Sequence, residues 1–242
     1  MATFLLIHGA WHGGWSMEPV RPALEAAGHK VIAPDLPGTD SDEALAHTTL
    51  ATWADFVADL ARQQPEPVIL CGHSRGGIVI SEAAERAPEA VKALVYITAF
   101  LIPNGSSLAD FAAPRTPALA AGMQIVAGGA AVTVSPEAAA ATFYTRVSSD
   151  AAEAAAQRLV PEPTCIRDTP LQLSEERWGS IPRYYIECTE DEMIPPENQR
   201  RMQAASPVKK VLAIACDHAP SLSDPDALAA ALIEIAEIEA KS

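Results

Sequence analysis

The stretch VILCGHSRGGIVI, residues 68–80, joins an apolar run to a small-residue turn and then to a second apolar run. The first run suits a buried strand, and the second begins a helix over residues 76–86. Between them stands Gly-x-Ser-x-Gly, which in a strand, tight turn and helix carries a serine hydroxyl clear of the sheet. Such a strained turn needs small neighbours and is typical of a reacting centre, so we predict that Ser74 is a nucleophile.

The sequence on both sides of this stretch alternates between short β-branched runs and longer Ala-rich ones. This alternation predicts an α/β fold, a mostly parallel sheet flanked by helices on both faces. We predict strands at residues 4–7, 31–33, 68–71, 94–98, 183–188 and 208–215. We predict helices at residues 17–27, 50–63, 76–86, 197–204 and 226–240, the last with Asp224 as its cap and Pro225 in its first turn.

The alternation breaks between residues 103 and 180, where Pro, Ala, Gly and Ser dominate. The segment is too long for a loop. We therefore predict an inserted, mainly helical cap with helices at residues 136–143 and 150–159 and a hairpin around Gly128 and Gly129. The predicted domains are a core of residues 1–102 and 181–242 and a cap, or lid, of residues 103–180.

A serine hydroxyl is a weak nucleophile and needs a base, which an acid must orient. His218 follows the last predicted strand, at the sheet end where catalytic residues of α/β folds gather, and is the predicted base. Asp191, just beyond the strand at residues 183–188, is the predicted acid, with Glu190 as the alternative. Asp217 is a poor candidate, because its side chain and that of its neighbour His218 diverge.

The negative oxygen of a tetrahedral intermediate needs hydrogen-bond donors, usually two main-chain amides. We expect one from Arg75, directly after the serine, and the other from Ala10, in the glycine-rich loop that follows the first strand. His8 and His12 of the same loop are expected to bond loop carbonyls rather than to act in catalysis.

The charge balance narrows the range of partners. The chain has 17 Lys+Arg against 31 Asp+Glu, a formal net charge of −14, which disfavours nucleic acid and acidic membranes. No apolar run approaches the roughly 20 residues of a membrane helix. The first residues lack the basic segment of a signal peptide, so we expect a cytoplasmic protein.

The cysteines indicate neither a disulfide framework nor a zinc site, because they are widely spaced and contain no Cys-x-x-Cys pair. We expect four buried free thiols at Cys71, Cys165, Cys188 and Cys216. No metal and no cofactor are expected.

The chain resembles the α/β-hydrolase fold superfamily, in particular the branch that holds plant methyl esterases, hydroxynitrile lyases and bacterial carboxylesterases. The resemblance covers nearly the whole chain. It rests on LIHGAWHGGW at residues 6–15, PDLPG at 34–38, GHSRGG at 72–77, CTED at 188–191 with Ile194-Pro195, and Asp217-His218. Carried over by position, it implies Ser74 as nucleophile, Asp191 as acid and His218 as base.

The sequence departs from one subgroup of the lyases, which carry Thr, Glu and Lys where Gly9, His73 and Ala219 stand. That lysine would stabilise departing cyanide, which Ala219 cannot do. The resemblance therefore implies a serine carboxylesterase that forms an acyl-enzyme with small, largely apolar esters. Two alternatives stay open, namely cyanohydrin cleavage on the same residues and a small-ligand binding protein with negligible turnover.

The substrate pocket is expected between the cap and the sheet end, around Gly9. We predict that Trp11, Phe100, Leu101 and Phe111 line it, although the same four side chains would suit an ordinary core equally well. The expected partner is a small-molecule ester, and the expected state is a monomer or a homodimer.

Overall fold

The structure is a computed structural model that describes residues 1–241. Its strands are β1 (Thr3–Ile7), β2 (Lys30–Ile32), β3 (Val68–His73), β4 (Val91–Ile97), β5 (Met123–Val126), β6 (Ala131–Val134), β7 (Glu162–Pro163), β8 (Arg183–Cys188) and β9 (Lys210–Ile214). Its α-helices are α1 (Arg21–Ala26), α2 (Asp42–His47), α3 (Leu50–Arg62), α4 (Gly76–Arg86), α5 (Leu108–Phe111), α6 (Pro117–Gly122), α7 (Pro136–Phe143), α8 (Ser149–Ala156), α9 (Cys165–Asp168), α10 (Pro196–Ala205), α11 (Pro220–Ser223) and α12 (Pro225–Ala240). Within residues 1–241, no helix has both the length and the apolar character needed to cross a membrane.

Six strands form the central sheet in the order β2-β1-β3-β4-β8-β9, and all neighbouring pairs are parallel. A parallel sheet is covered on both faces, so its strands are apolar throughout. In β4, Leu94 and Tyr96 join the core beneath α3 and α4, whereas Ala93, Val95 and Ile97 join the core beneath α1 and α12. The predicted α/β fold is confirmed.

The parallel arrangement brings the loops that follow β1, β3, β4, β8 and β9 to one edge of the sheet. Ile7 is in register with Gly72, and Gly72 is in register with Tyr96, so the loops after the first three of these strands start side by side. Cys188 is in register with Ile214 on the other side of β4. Residues far apart in sequence therefore meet at this edge, where α/β folds bind ligands.

Residues 103–180 contain the helices α5 to α9 and a second, antiparallel sheet, β5-β6-β7. The predicted hairpin is present, since β5 and β6 pair antiparallel and the turn between them holds Gly128 and Gly129 at φ of 63° and 102°. Helix α7 has the predicted bounds, and α8 ends at Ala156, before the predicted residue 159. The division into core and cap at residues 103 and 180 remains a prediction.

The first helix is shorter than predicted. Instead of one helix over residues 17–27, the chain forms a 3-10 turn at Glu18–Val20 and then α1. Pro19 and Pro22 lie in this segment and have no amide hydrogen to donate, so a continuous α-helical ladder cannot form across it. The last helix begins as predicted, because the Asp224 carboxylate accepts the Ala227 amide at 3.1 Å.

The cysteines are all free thiols, but one prediction about them is wrong. Cys71, Cys188 and Cys216 are buried, whereas Cys165 is exposed. Cys165 begins α9, a short helix at the surface of the 103–180 segment, and its thiol contacts the Thr48 carbonyl at 3.2 Å.

Candidate active site

Ser74 lies in the turn between β3 and α4 with a left-handed φ of 52°. A non-glycine residue in this conformation costs about 1–3 kcal/mol and is retained where the surrounding structure enforces it. Two glycines make the turn possible. A Cβ on Gly72 would lie 2.6 Å from the Gly76 carbonyl oxygen, and a Cβ on Gly76 would lie 2.7 Å from the Ile7 carbonyl oxygen. Only glycine at both positions permits this close approach.

Ser74, His218 and Asp191 form a continuous chain of hydrogen bonds. The Ser74 hydroxyl donates to His218 Nε2 at 3.0 Å, and His218 Nδ1 donates to Asp191 Oδ2 at 2.7 Å. The three residues follow β3, β9 and β8, and all three are buried. The structure thus brings together the three side chains that the sequence singled out, in the order that activates a serine.

The Asp191 carboxylate is held by three further donors. The amides of Met193 and Ile194 donate to Oδ1 at 2.7 and 2.9 Å. The Thr98 hydroxyl donates to Oδ2, the oxygen that also binds His218. These bonds fix the plane of the carboxylate and keep it aimed at the imidazole. Thr98 was not predicted from the sequence, because a single threonine after a strand forms no motif.

The two other carboxylates near His218 have partners elsewhere. Glu190 is half exposed and pairs with Arg146. Asp217 accepts the Arg146 amide at 2.8 Å and the Ser223 hydroxyl at 2.6 Å. Within residues 1–241, Asp191 is the acid whose side chain contacts the His218 ring.

Ala10 and Arg75 are the residues whose main-chain amides are predicted to bind an oxyanion. Both residues line the cavity at Ser74, and neither amide donates a hydrogen bond to another group of residues 1–241. The loop after β1 approaches the serine closely, since a Cβ on Gly9 would lie 3.0 Å from the Ser74 Cβ. Two amides without a hydrogen-bond partner within residues 1–241 therefore belong to residues of the cavity wall beside the serine, and their use as an oxyanion site stays a prediction.

The histidines of the loop after β1 are bonded to main-chain carbonyls, as predicted. His8 Nδ1 donates to the Gly9 carbonyl at 2.9 Å, and His12 Nδ1 donates to the Ala10 carbonyl at 2.7 Å. The Tyr144 hydroxyl donates to the other ring nitrogen of His12 at 2.8 Å. Burial lowers the pKa of His8 to about 3 and that of His12 to about 4, so both rings are neutral near pH 7.

His73 supports the loop that carries the base. Its Nε2 donates to the main-chain carbonyl of His218 at 2.7 Å. Burial, together with the neighbouring rings of His218 and His12, lowers the pKa of His73 well below its usual value. A neutral His73 therefore holds the His218 main chain without adding a positive charge beside the base.

A cavity of about 370 Å³ adjoins Ser74 and His218. The sheet edge and the 103–180 segment both line it. Large apolar side chains in its wall are Trp11, Phe100, Leu119, Met123, Phe143 and Met193. Of the predicted lining residues, Gly9, Trp11 and Phe100 are present, and the contributions from the 103–180 segment were not predicted.

Two predicted lining residues do not line this cavity. Leu101 is fully buried in the core beneath α3 and α4 and is absent from the cavity wall, to which its neighbour Phe100 contributes. Phe111 ends α5, packs against the edge of the same core and lies 4.8 Å beneath the Arg201 guanidinium. Both side chains pack in or against the core, so the structure does not place them in the wall of this cavity.

A parallel sheet covered on both faces, with a serine, a histidine and an acid in loops at one edge, is the arrangement of an α/β hydrolase. The model of the alpha/beta hydrolase family matches residues 4–231. The chain belongs to this family.

Individual relatives show which branch of the family the chain resembles. The chain is 34% identical to salicylic acid-binding protein 2 of Nicotiana tabacum, over 96% of each chain. It is 35% identical to methylesterase 7 of Arabidopsis thaliana, over 97% of this chain and 96% of the relative. The crystal structure of a pyrethroid hydrolase from Sphingobium faniae matches with a TM-score of 0.88 at 30% identity, covering 100% of this chain and 99% of the other. The methylesterase-like branch indicated by the sequence is confirmed.

Proposed function

We propose that the protein is a cofactor-independent serine esterase that hydrolyses small, largely apolar carboxylic esters. The observation that carries the proposal is the chain of hydrogen bonds from Ser74 through His218 to Asp191, beside a cavity with an apolar wall. Its similarity to proteins named methylesterase and pyrethroid hydrolase supports the same chemistry.

Acylation begins when Ser74 Oγ attacks the ester carbonyl carbon and His218 Nε2 accepts the hydroxyl proton. Asp191 orients the imidazole and stabilises the imidazolium that forms. The carbonyl oxygen becomes an oxyanion and accepts hydrogen bonds from the Ala10 and Arg75 amides. When the intermediate collapses, the bond to the alcohol oxygen breaks, and His218 returns its proton to that oxygen.

Deacylation repeats these steps with water. A water molecule attacks the carbonyl carbon of the acyl-Ser74 ester and gives its proton to His218. The second intermediate collapses, the bond to Ser74 Oγ breaks, and His218 returns the proton to the serine. The released acid ionises, and the net charge of −14 favours departure of the carboxylate from the protein.

The cavity indicates a small substrate. Its volume of about 370 Å³ lies near the lower end of the range for ligand pockets, about 300–1,000 Å³. Phe143 and Leu119 add apolar surface to its wall. In this proposal the 103–180 segment acts as the cap, the substrate is a small-molecule ester, and neither nucleic acid nor a membrane takes part.

The proposed location is the cytoplasm, and the proposed state is a monomer or a homodimer. Free thiols persist in reducing compartments, and Cys71, Cys165, Cys188 and Cys216 are all unpaired.

The test is a panel of p-nitrophenyl esters graded by acyl length, assayed with wild type, Ser74→Ala and Ser180→Ala. We expect hydrolysis by the wild type that is strongest for short acyl chains, none above background for Ser74→Ala, and unchanged rates for Ser180→Ala, whose hydroxyl bonds a surface carbonyl. A fluorophosphonate should label Ser74, as located by mass spectrometry. Turnover by a folded Ser74→Ala protein, or label on another residue, would refute the mechanism.

A binding role is the second candidate, because one relative is named for binding salicylic acid. Titration calorimetry with salicylate, run beside the ester panel, separates the two functions. Tight salicylate binding with no ester turnover would favour the binding role. Release of benzaldehyde from mandelonitrile faster than in buffer would favour the lyase alternative.

A further inference from the structure

The side chain of Arg75 turns back onto the loop that follows β1. Its Nη2 donates to the Gly9 carbonyl oxygen at 2.9 Å. That carbonyl and the Ala10 N–H belong to one peptide group, which is planar and trans, so the two bonds point in opposite directions. A donor that fixes the direction of the Gly9 carbonyl therefore also fixes the direction of the Ala10 N–H.

The same hydrogen bond strengthens the Ala10 amide as a donor. A peptide carbonyl that accepts a hydrogen bond becomes more polarised, and its N–H donates more strongly. The Gly9 carbonyl accepts from Arg75 Nη2 and also from His8 Nδ1 at 2.9 Å. Of these two donors, the Arg75 guanidinium is the one that carries a positive charge.

Glu162, in β7, holds the Arg75 side chain in this position. Its Oε1 lies 2.9 Å from Arg75 Nε, and its Oε2 accepts from Nη2 at 3.4 Å. The same Oε2 accepts the Trp11 amide at 3.3 Å. The carboxylate thus contacts both Arg75 and the loop whose peptide Arg75 orients.

The pair is almost completely removed from water, with 3% of the Arg75 side chain and 13% of the Glu162 side chain exposed. The Trp53 ring covers one face of the guanidinium at 4.3 Å. Burial lowers the pKa of Arg75 and raises that of Glu162, and the opposite charge of each partner counters the shift. Burying a charge pair of this kind costs free energy of desolvation. Apolar side chains could hold the same two segments together without that cost. Its contact with the Gly9 peptide gives the charge a use in catalysis.

We propose that Arg75 organises both halves of the oxyanion site, one with its own main-chain amide and the other by orienting the Ala10 amide through its side chain. Glu162 is a positioning residue that acts through Arg75. This inference rests on the esterase function proposed above.

The first test is the kinetics of Arg75→Met, which keeps the main-chain amide and the length of the side chain but removes its donors. Loss of one oxyanion donor lowers kcat by about 100- to 1,000-fold, and misorientation of a donor that remains present should cost less. We expect kcat to fall by about 10- to 100-fold with KM changed by less than about threefold, because the pocket wall is retained. A kcat within twofold of wild type would overturn the proposal.

The second test measures binding and does not depend on turnover. A trifluoromethyl ketone analogue of the ester adds to Ser74 and places an oxyanion in the site, whereas the amide analogue binds without reacting. Arg75→Met should lower the affinity for the ketone by the same factor by which it lowers kcat/KM. It should leave the affinity for the amide unchanged. An equal loss of affinity for both ligands would mean that Arg75 only maintains the shape of the pocket, and it would overturn the proposal. If the wild type hydrolyses no ester, the proposed function fails, and the ketone-to-amide ratio still decides the role of Arg75.

The third test asks whether Glu162 acts through Arg75. Glu162→Gln removes the charge, keeps the shape and should lower kcat of the wild type by several-fold. In the Arg75→Met background the same change should lower kcat no further, whereas independent, multiplying losses would overturn the positioning role. Arg86→Met is the matched control, because Arg86 ends the same helix and pairs with Glu82 and Asp55 away from the cavity. It should lower the melting temperature without lowering kcat.

Discussion

The Thr98 hydroxyl donates to Oδ2 of Asp191, the oxygen that also accepts from His218. Thr98 follows β4, which lies between the strand that leads to Ser74 and the strand that leads to Asp191. Its amide donates to the Ile186 carbonyl of β8 at 2.8 Å, and its φ is 35°. The threonine is therefore a fixed donor built into the sheet edge, and it restrains the carboxylate that orients the base.

Replacing this threonine by valine tests that restraint. Thr98→Val removes the hydroxyl and keeps the β-branched shape, so Asp191 loses one donor. Hydrogen bonds to charged groups contribute about 1.5–3 kcal/mol. An increase of about 1.4 kcal/mol in the activation barrier lowers the rate tenfold. We expect kcat for a short-chain ester to fall by about tenfold. Thr145→Val, which removes a long contact to Asp217, is the control and should leave kcat unchanged. An unchanged kcat in Thr98→Val would show that the carboxylate is held well enough without the hydroxyl.

Exchange of the two neighbouring acids tests which one orients the base. Asp191→Asn should lower kcat by about 1,000- to 10,000-fold, because an amide no longer stabilises the imidazolium or selects its tautomer. Glu190→Gln removes only a half-exposed ion pair with Arg146 and should stay within twofold of wild type. The reverse pattern of rates would assign the acid to Glu190. Circular dichroism of both variants checks that the fold is retained.

Several site residues could be predicted from sequence because their positions follow from local rules. Ser74 stands in a five-residue motif, and its strand and helix are each marked by a periodic apolar pattern. Asp191 and His218 directly follow apolar strands, and in a parallel sheet all such positions meet at one edge. The sequence therefore specified which side chains meet, although they are up to 144 positions apart.

The remaining site residues depend on contacts that no local pattern encodes. Thr98 and Glu162 are single polar residues, and Glu162 belongs to a strand of only two residues. The direction in which the 103–180 segment folds over the sheet edge decides which apolar side chains reach the cavity. The prediction for Leu101 failed to match the cavity wall for the same reason, since sequence alone does not show which of two adjacent apolar residues, Phe100 or Leu101, reaches the cavity.

Substitutions in and near the cavity wall test which side chains line the cavity. Phe143 lines the cavity and stacks on Trp11 with ring centroids 5.7 Å apart. Phe143→Ala should enlarge the cavity, shift the preferred ester toward longer acyl chains and destabilise the fold by about 3–5 kcal/mol. Phe111→Ala is the matched control, because Phe111 packs outside the cavity and its loss should leave the order of preference unchanged. A changed preference in Phe111→Ala alone would restore Phe111 to the pocket.

The buried histidines predict how stability depends on pH. Burial lowers the pKa of His8 to about 3, that of His12 to about 4 and that of His73 well below its usual value. A histidine in an unfolded chain has a pKa of about 6.5. Below about pH 6.5 the unfolded state binds protons that the folded state does not. The free energy of unfolding must therefore fall as the pH falls.

At pH 5.0 the loss relative to pH 7.5 is roughly 2 kcal/mol for each of His8 and His12, because a fully protonated unfolded group contributes about 1.4 kcal/mol per pH unit. Urea unfolding at the two pH values measures it. His12→Gln should reduce the difference by roughly 2 kcal/mol, since glutamine does not titrate, while His47→Gln, at an exposed position, should leave it as in wild type. Equal differences in wild type and His12→Gln would mean that His12 takes up its proton without unfolding, and the hydrogen bond from Tyr144 to its ring would then have to break in the folded state.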